Sequence, residues 1–472
     1  MRLENIIENT GANIVHGNGS TEIRDICNDS RKVSEGSLFI AVKGFASDGH
    51  DFIDAALKAG AAAVVSTDRR GLALCADNFY GHPSSELTLV GITGTNGKTT
   101  TVTLLYRLFM SLGYNCGLLS TIANYVGTRR SETANTTADP ITINSLMAEM
   151  VAEGCQYCFM EVSSIGIEQE RVAGLDFNIG IFSNLTHDHL DYHKTFAEYL
   201  RCKKLFFDSL PKDAVAITNI DDRNGMVMVQ NTKAKIVSYS CHNMADHSCR
   251  ILEESFEGML LKIDGEELWT RLIGEHNAYN ILAIYCAAIA AGASKEDTLI
   301  ALSKLESAPG RLETIRAPKD ISVVIDYAHT PDAMENVLKT LRDIAPEKEL
   351  ICLFGCGGDR DRTKRPEMAK VAENFADRII VTSDNSRTER TEDIMNDIKA
   401  GFGPEGISKS LFIADRREAI RISLMTAKPG ATILLAGKGH ETYQIIGTEH
   451  RHFDEREIVK EAIYDLSPVS NS

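Results

Sequence analysis

A glycine-rich stretch ending in lysine and threonine is the strongest chemical signal in this 472-residue chain. It follows the apolar run Leu87–Ile92 and precedes a helix predicted from Thr99 to about Leu112. Glycines let backbone amides point at phosphate oxygens, and the N-terminus of the following helix adds positive potential. The strict GxxxxGK[ST] spacing is not met, but the strand–loop–helix context is the one that a phosphate loop needs. The predicted nucleotide-binding residues are Gly94, Thr95, Asn96, Gly97, Lys98, Thr99 and Thr100.

Lys98 is predicted to neutralise the β- and γ-phosphates of the nucleotide, and the hydroxyl of Thr99 or Thr100 to reach Mg²⁺. Such a site also needs a carboxylate. Glu161 is the candidate, because it ends the buried-looking strand Tyr157–Glu161 and thus lies at the carboxyl end of a strand. The alternative interpretation is an acid that only caps the following turn.

A second polar cluster contains three histidines and two aspartates within 184–193. The spacing of two predicts that His187, His189, Asp191 and His193 face one way on an extended segment. We favour one of these side chains on a second Mg²⁺. Zinc is the alternative, although no cysteine accompanies the cluster in the sequence. The plain structural interpretation is a loop that caps the next helix.

Lys203 follows on an apolar helical stretch, 200–207. A lysine on such a face usually extends its ammonium group to solvent, so the residue pattern by itself assigns Lys203 no role.

Two polar, proline-containing stretches divide the chain, at 80–86 and 307–318. We therefore predict three α/β domains: residues 1–88, a central phosphate-loop domain at 89–313, and 314–472. In the third, apolar strands alternate with helices, which predicts a parallel, doubly wound sheet of the Rossmann type. Ligands bind at the carboxyl ends of strands in such sheets. The residues predicted at those ends are Asp326, Gly355, Asp384 and Gly437.

Composition excludes several function classes. The formal charge of −16 argues against nucleic acid or an anionic membrane as a partner. Hydrophobic residues make up 43% of the chain, which excludes wholesale disorder. The sequence contains no run of 18 or more apolar residues, so no membrane span is predicted. The N-terminus lacks a secretory pattern, and the eleven scattered cysteines are typical of reduced structural thiols. We expect a cytoplasmic protein.

Motifs spread over nearly the whole chain resemble those of the Mur ligases, most closely the MurE type. In chain order they are Gly94-Thr-Asn-Gly-Lys-Thr-Thr100, Glu161-Val-Ser-Ser164, Asn184-Leu-Thr-His-Asp-His-Leu-Asp191, Gly274-Glu-His-Asn277-x-x-Asn280, Gly310-Arg-Leu-Glu313, Asp326-Tyr-Ala-His-Thr-Pro331 and Gly437-Lys-Gly-His-Glu441.

The resemblance implies an N-terminal domain for a UDP-sugar, a central ATPase, and a C-terminal domain for an incoming amino acid. It implies an ATP-dependent ligase of peptidoglycan synthesis that activates the carboxylate of UDP-N-acetylmuramoyl-dipeptide as an acyl phosphate. The amine of the amino acid then attacks, leaving ADP and phosphate. We expect a monomer in a pathway on which cell shape and cell division depend.

The resemblance also implies roles for particular residues. Glu161 and the hydroxyl beside Lys98 would hold one Mg²⁺ and His189 a second, with Lys203 as a CO₂-derived carbamate that bridges to the metal. The neighbouring Lys204 leaves that register open. The implied UDP-sugar-peptide residues are Ser30, Asn135, Thr136, Thr137, Ser163, Gln169 and Arg171, and further ATP-binding residues are Asn277, Asn280, Arg311 and Asp326.

The same resemblance implies meso-diaminopimelate as the added amino acid. Arg387 would pair with its distal carboxylate, and Glu441 would face its distal ammonium. The remaining residues of this implied pocket are Arg360, Asp384, Asn385, Ser386 and Gly437.

Two positions depart from the pattern: Ser386 stands where proline is usual, and Ile165 where relatives often carry histidine. The alternatives are a lysine-adding ligase of the same type and, from a different class, an inactive nucleotide-binding scaffold.

Overall fold

The computed structural model describes residues 1–44, 47–133, 135–186 and 190–466. The chain forms two compact units, which we describe separately. The first combines Met1–Leu185, His193–Ser248 and Ile281–Ala301, and the second consists chiefly of Cys249–Asn280 and the chain from Leu302 onward. In the described part of the chain, no helix is both long enough and apolar enough to cross a membrane.

The N-terminal part of the first unit is a small α/β layer. Its elements are α1 (Leu3–Ile6), β1 (Asn13–His16), β2 (Asp25–Cys27), β3 (Ser37–Val42), α2 (Ile53–Lys58), β4 (Ala63–Thr67) and α3 (Arg69–Phe79). The sheet order is β1-β4-β3-β2, with β1 antiparallel and the others parallel.

The central sheet of the first unit carries the phosphate loop. Its elements are β5 (Thr88–Thr93), α4 (Lys98–Ser111), β6 (Cys116–Leu119), β7 (Asn124–Val126), β8 (Arg129–Ser131), α5 (Pro140–Ala152), β9 (Tyr157–Glu161), α6 (Ser164–Glu168), β10 (Ile179–Phe182), α7 (Leu190–His193), α8 (Phe196–Asp208), β11 (Val215–Asn219), α9 (Gly225–Met228) and β12 (Lys235–Ser240). The strand order β12-β11-β10-β5-β9-β6 is parallel throughout, and β7 and β8 add antiparallel strands at the edge. Strand β5 therefore lies inside the sheet, and its carboxyl end meets that of β9.

The segment between the central and C-terminal sheets comprises β13 (His247–Ser255), β14 (Gly258–Ile263), β15 (Glu266–Thr270), α10 (Glu275–Ala290) and α11 (Lys295–Leu302). Strands β13, β14 and β15 form an antiparallel meander. The N-terminal end of β13 also pairs with β12 in parallel.

The C-terminal part of the second unit is a doubly wound sheet. Its elements are β16 (Glu313–Ala317), β17 (Ile321–Asp326), α12 (Pro331–Ile344), β18 (Leu350–Phe354), α13 (Lys364–Phe375), β19 (Arg378–Val381), α14 (Thr391–Lys399), α15 (Pro404–Ser408), β20 (Ser410–Phe412), α16 (Arg416–Thr426), β21 (Thr432–Ala436), β22 (Tyr443–Ile446), β23 (Glu449–His452) and α17 (Glu455–Leu466). The order is β16-β17-β21-β18-β19-β20, parallel except for the edge strand β16, and β22 and β23 form a separate hairpin.

Both faces of this sheet are buried, as a doubly wound arrangement requires. Along β21, Ile433 and Leu435 belong to one apolar cluster, while Leu434 and Ala436 belong to another on the opposite face. The sheet therefore holds its strand ends rigidly, and the predicted ligand-binding residues lie at those ends.

Candidate active site

The phosphate loop connects the end of β5 to the start of α4 and is held by the segment after β10. Thr95 donates its amide to the Asn184 carbonyl at 2.8 Å, and Asn96 donates its amide to Asn184 Oδ1 at 2.9 Å. A Cβ atom on Gly94 would lie 1.9 Å from Ser183 Oγ. Glycine is therefore required at Gly94 for a steric reason, in addition to the access it gives to phosphate.

Lys98 folds back over this loop. Its Nζ donates to the carbonyl oxygens of Gly94 at 2.9 Å and Thr95 at 2.8 Å. The ammonium group thus lies at the mouth of the loop, where the phosphates of a nucleotide would be neutralised.

Glu161 and Thr99, predicted separately as magnesium ligands, meet in the structure. Strands β5 and β9 are paired so that Ile92 is level with Glu161, and Thr99 Oγ1 donates to Glu161 Oε2 at 3.0 Å. The other carboxylate oxygen accepts from the Thr121 amide at 2.8 Å. Thr100 is buried on the same first turn of α4.

These residues fit a magnesium ion on chemical grounds. Glu161 is fully buried, and within the described ranges no lysine or arginine forms an ion pair with it. Burying a carboxylate without a counter-charge is costly, so the geometry favours a cation at this point. Carboxylate and hydroxyl oxygens are the hard ligands that Mg²⁺ prefers.

Lys203 does not extend to solvent, so the expectation from its apolar helix was wrong. Its side chain is 1% exposed, its Nζ donates to the Gly94 carbonyl at 2.8 Å, and it lies 4.6 Å from the centre of the Tyr199 ring. The helix packs against the phosphate loop, and this contact buries the side chain. Lys204 instead pairs with Asp208, 2.5 Å away.

The predicted metal ligand His189 lies outside the described residues, as does His187, and its role stays a prediction. His193 is buried, with Nε2 2.9 Å from Ser164 Oγ. Cys202 and Glu168 each place a potential ligand atom within 4.8 Å of it. Folding thus brings a cysteine to this histidine that the sequence spacing did not reveal. We assign no metal to this group.

Four of the residues implied for the peptide of the sugar nucleotide form one connected group around the end of β9. Thr137 Oγ1 donates to the Glu161 carbonyl at 2.9 Å and accepts from the Ser163 amide at 3.0 Å. Arg171 donates to the Thr137 carbonyl at 2.6 Å and to Gln169 Oε1 at 2.7 Å. The group connects directly to the carboxylate strand, so a substrate bound here would lie close to Glu161.

The remaining implied sugar-nucleotide residues are less enclosed. Thr136 is half-buried and accepts a hydrogen bond from Thr121 Oγ1 at 3.1 Å, whereas Asn135 is exposed. Ser30 begins a short 3₁₀ turn after β2, where Asp29 caps the turn through the Arg31 amide.

In the second unit, Asp326 ends β17 and is buried. Its two carboxylate oxygens accept from the amides of Leu312 and Ala328, both at 2.8 Å. Burial raises the pKa of Asp326, and the nearby Arg311 opposes that rise. The Arg311 guanidinium lies 5.0 Å from the centre of the Tyr327 ring. Arg311 and Asp326, implied as nucleotide-binding residues, are thus neighbours.

Gly310 allows the Arg311 loop to lie against the loop after β21. A Cβ atom on Gly310 would lie 2.1 Å from the His440 amide nitrogen, and Gly310 has a φ of +66°. Burial lowers the pKa of the His440 ring to about 3, with Arg311 contributing.

The other two residues implied for ATP binding, Asn277 and Asn280, lie on α10. Their buried side-chain amides are hydrogen-bonded to each other at 3.0 Å.

The loops after β19 and β21 converge in what we call the Asn385 cluster: Asp384, Asn385, Arg387, Lys438 and Glu441. Asn385 Nδ2 donates to Glu441 Oε2 at 2.9 Å, and Lys438 Nζ donates to Asn385 Oδ1 at 3.2 Å and to Glu441 Oε2 at 3.0 Å. Lys438 Nζ also lies 3.8 Å from Asp384 Oδ1. Burial raises the pKa of Glu441, and Lys438 opposes this.

The other implied residues of the amino-acid pocket surround this cluster. Arg387 has a φ of +49° and donates to the Gly358 carbonyl at 2.9 Å. Ser386 is buried, and Gly437 donates its amide to the Asp326 carbonyl at 3.0 Å. Arg360, by contrast, is exposed on the neighbouring loop.

Two buried cations of this region, Lys438 and Arg416, were not predicted as site residues from the sequence. Lys438 is fully buried, although it lies inside a motif that carries the resemblance. Arg416 pairs with Glu455 at 2.8 Å and donates to the Ser383 and Ala436 carbonyls, the residues just before Asp384 and Gly437. The position of Lys438 beside a glycine loop was a usable signal, whereas nothing in the sequence connects Arg416 to Glu455.

Comparison with known proteins gives successive matches along the chain. A family model described as "Mur ligase family, catalytic domain" matches residues 22–86, "Mur ligase middle domain" matches 92–289, and "Mur ligase, glutamate ligase domain" matches 310–439. A relative from Cytophaga hutchinsonii is 47% identical over 99% of this chain and 100% of its own length. The chain belongs to the Mur ligase family.

The relatives of this Mur ligase carry a specific name. The Cytophaga protein, another from Bacteroides fragilis at 47% identity and one from Geobacillus kaustophilus at 40% are each called UDP-N-acetylmuramoyl-L-alanyl-D-glutamate--2,6-diaminopimelate ligase. The Bacteroides match covers 99% of this chain and 100% of the relative, and the Geobacillus match 98% and 99%.

Solved structures agree with these matches. A structure with the same name as the relatives is similar at a TM-score of 0.71 and 33% identity, over 98% of this chain and 99% of the other. The MurF ligase of Thermotoga maritima in complex with ADP shares the fold at a TM-score of 0.65 and 18% identity, over 94% and 98%. The predicted three-domain α/β architecture of a Mur ligase is thereby confirmed, while the domain boundaries at 88 and 313 stay predictions.

Proposed function

We propose that this Mur ligase joins meso-diaminopimelate to the D-glutamate of UDP-N-acetylmuramoyl-L-alanyl-D-glutamate. Its class, an ATP-dependent ligase that forms ADP, follows from the family. The observation in this structure that supports the amino acid is the Asn385 cluster, where Arg387 and Glu441 offer one positive and one negative group. Together they complement the carboxylate and the ammonium of a distal amino-acid centre.

The reaction must bring two anions together, the γ-phosphate of ATP and the D-glutamate carboxylate. Transfer of the phosphoryl group to a carboxylate oxygen makes an acyl phosphate and releases ADP. The neutral amine of the amino acid then attacks the carbonyl carbon, phosphate departs, and the amine loses a proton. Lys98, held at the mouth of the phosphate loop, would offset the negative charge during phosphoryl transfer.

Mg²⁺ held by Glu161 and the Thr99 hydroxyl would supply further positive charge for this approach. Thr137, Ser163, Gln169 and Arg171 would hold the peptide end of the sugar nucleotide beside Glu161. In the second unit, Asn277, Asn280, Arg311 and Asp326 are proposed to contact ATP.

The proposal includes a carbamate on Lys203. Its ammonium and that of Lys98 donate to the same Gly94 carbonyl, so two like charges lie close together, one of them buried and the other half-buried. Addition of CO₂ to the neutral amine, with loss of a proton, would replace one of these cations with an anionic oxygen ligand. The family resemblance supports the same choice, and the pairing of Lys204 with Asp208 favours Lys203 over its neighbour.

Lys203→Ala tests the carbamate, with Lys204→Ala as the matched control. We expect Lys203→Ala to lose ligase activity, to regain part of it with added short carboxylic acids, and to lose a ¹³CO₂-derived carbamate signal in NMR spectra. Lys204→Ala should keep both activity and signal. Full activity of Lys203→Ala without rescue contradicts the carbamate.

The main experiment supplies UDP-N-acetylmuramoyl-L-alanyl-D-glutamate and ATP with either meso-diaminopimelate or L-lysine, and measures ADP release and the mass of the product. We expect the amide with diaminopimelate and little with lysine. Activity with lysine alone would transfer the chain to the lysine-adding class, and ATP turnover with neither would favour a scaffold. We propose that the enzyme acts as a cytoplasmic monomer.

A further inference from the structure

Lys438 is the buried charge of the Asn385 cluster for which the proposed reaction provides no role. Its side chain is fully buried. The ammonium group therefore cannot contact a substrate directly. It acts on the substrate only through the groups that it holds, which are Glu441 and Asn385.

The surroundings of Lys438 show how closely these groups are connected. Its Nζ lies 3.0 Å from Glu441 Oε2, 3.2 Å from Asn385 Oδ1 and 3.8 Å from Asp384 Oδ1. It also lies 5.9 Å from the centre of the Tyr443 ring. Burial raises the pKa of the Tyr443 hydroxyl, Glu441 and Asp384 add to that rise, and Arg387 opposes it. Charges at these positions are thus coupled through one small, poorly hydrated region.

The formal charges of the cluster cancel. Asp384 and Glu441 each contribute one negative charge, and Lys438 and Arg387 each contribute one positive charge. Without Lys438, the Asn385 cluster would carry a net charge of −1; the exposed Arg360 on the neighbouring loop is not part of this cluster. A neutral pocket suits a distal group that is itself neutral overall, whereas a pocket of −1 suits a bare ammonium group.

We propose that Lys438 determines specificity as a positioning residue: its buried charge makes the pocket neutral, so the enzyme selects amino acids whose distal end carries both an ammonium and a carboxylate. This inference rests on the proposed function and deepens it. Lys438 also fixes the carboxylate of Glu441 and the amide orientation of Asn385, and therefore orients the two groups that meet the substrate.

Loss of the Lys438 charge should change the activity with lysine and with 2-aminopimelate in opposite directions. General damage to the pocket would lower the activity with every amine. Three amines differ only at the distal end: meso-diaminopimelate carries both groups, L-lysine only the ammonium, and 2-aminopimelate only the carboxylate. Wild-type enzyme should reject lysine and 2-aminopimelate, the two amines with a single charge at the distal end. Lys438→Met should raise kcat/KM for lysine, relative to that for diaminopimelate, at least about tenfold. The same variant should lower kcat/KM for 2-aminopimelate below its already low wild-type value.

Three companion variants separate charge from shape. Lys438→Gln keeps a hydrogen-bond donor without the charge and should shift the preference in the same direction as Lys438→Met. Lys438→Arg keeps the charge and should retain the wild-type order of the three amines. Lys409→Met removes a lysine that pairs with Glu405 elsewhere in the same sheet domain, and should leave the order unchanged.

Steady-state kinetics with each amine, at saturating ATP and sugar nucleotide, provides the measurement. The change should lie in the KM for the amine, with the KM for ATP unchanged. An equal loss with all three amines would overturn the inference, because it would show a purely structural role. Should Lys438→Met not fold, the comparison of Lys438→Gln with Lys438→Arg makes the same decision. Failure of the wild type to use diaminopimelate would instead reject the proposed function.

Discussion

The phosphate-loop site and the Asn385 cluster treat buried charge in opposite ways. Glu161 is fully buried at the end of β9, and it accepts hydrogen bonds from a hydroxyl and an amide. In the second unit, the buried cations Lys438 and Arg416 are each matched by carboxylates of the chain itself. A buried charge without a partner is costly, so the first arrangement is suited to a ligand that supplies the missing charge, whereas the second is complete without one.

This difference in how buried charge is compensated predicts whether a substitution in each region affects mainly catalysis or mainly stability. Residues of the phosphate loop should affect catalysis more than stability. The buried ion pairs of the C-terminal sheet should affect stability first, and activity through the loops that they hold.

The largest effect is expected for Lys98→Met. Loss of a positive charge at the transferring phosphoryl group should lower kcat by about 10³–10⁵-fold, as for other cations in phosphoryl transfer. The midpoint of thermal unfolding should change little, since Lys98 donates to loop carbonyls. ADP release and a melting curve measure the two quantities. A large loss of stability in Lys98→Met would contradict the expectation that the phosphate loop affects catalysis more than stability.

Arg416→Met should be the most destabilising change. It leaves the buried carboxylate of Glu455 without its partner and releases the carbonyls before two pocket loops. Breaking such a pair costs about 3–5 kcal/mol in the free energy of unfolding, measurable by urea denaturation.

Arg417→Met is the matched control for this change, because Arg417 pairs with Glu461 across the same two helices, α16 and α17. That pair is exposed, with 47% and 60% of the two side chains accessible, and should contribute no more than about 1 kcal/mol. Equal effects of the two variants would show that burial does not set the strength of these pairs.

Glu161→Gln should lower activity without lowering stability. Loss of the carboxylate should lower kcat by about 100-fold and raise the Mg²⁺ concentration needed for half-maximal activity. In the absence of Mg²⁺ the variant should be at least as stable as the wild type, because the uncompensated charge is gone. A clear loss of stability without metal would indicate that the protein neutralises Glu161 by itself.

His440 should give the smallest effect, a pH dependence of stability. Its ring has a pKa of about 3 in the folded chain against an ordinary value of 6.5, because burial and Arg311 disfavour the charged form. Between those values the unfolded chain binds a proton that the folded chain does not, so stability falls as the pH drops from about 6.5 towards 3. At pH 5 the contribution is about 1–2 kcal/mol.

His440→Gln removes this proton uptake. Urea unfolding at pH 7 and pH 5 should therefore show a smaller loss of stability for the variant than for the wild type. Replacement of the exposed His16 on β1 serves as the control for loss of an imidazole. An unchanged pH dependence in His440→Gln would contradict the assigned cause.

The residue pattern predicted the phosphate loop, because its signal is local. Strand, glycines, Lys98 and helix follow one another within a short stretch, and each acts through backbone geometry. It also predicted the strands of the C-terminal sheet, because a strand buried on both faces is an almost continuous apolar run. Glu161 was proposed as a metal ligand for the same reason, since it ends such a run.

Only the tertiary structure decided the surroundings of these residues. The burial of Lys203 depends on how α8 packs against the phosphate loop, and the pattern of its own helix predicted solvent exposure instead. Arg416 and Glu455 lie 39 positions apart and meet because α16 and α17 pack together. Charges separated along the chain become coupled only where folding excludes water between them. The sequence by itself therefore determined which groups are candidates for the chemistry, and the packing determined which charges surround them.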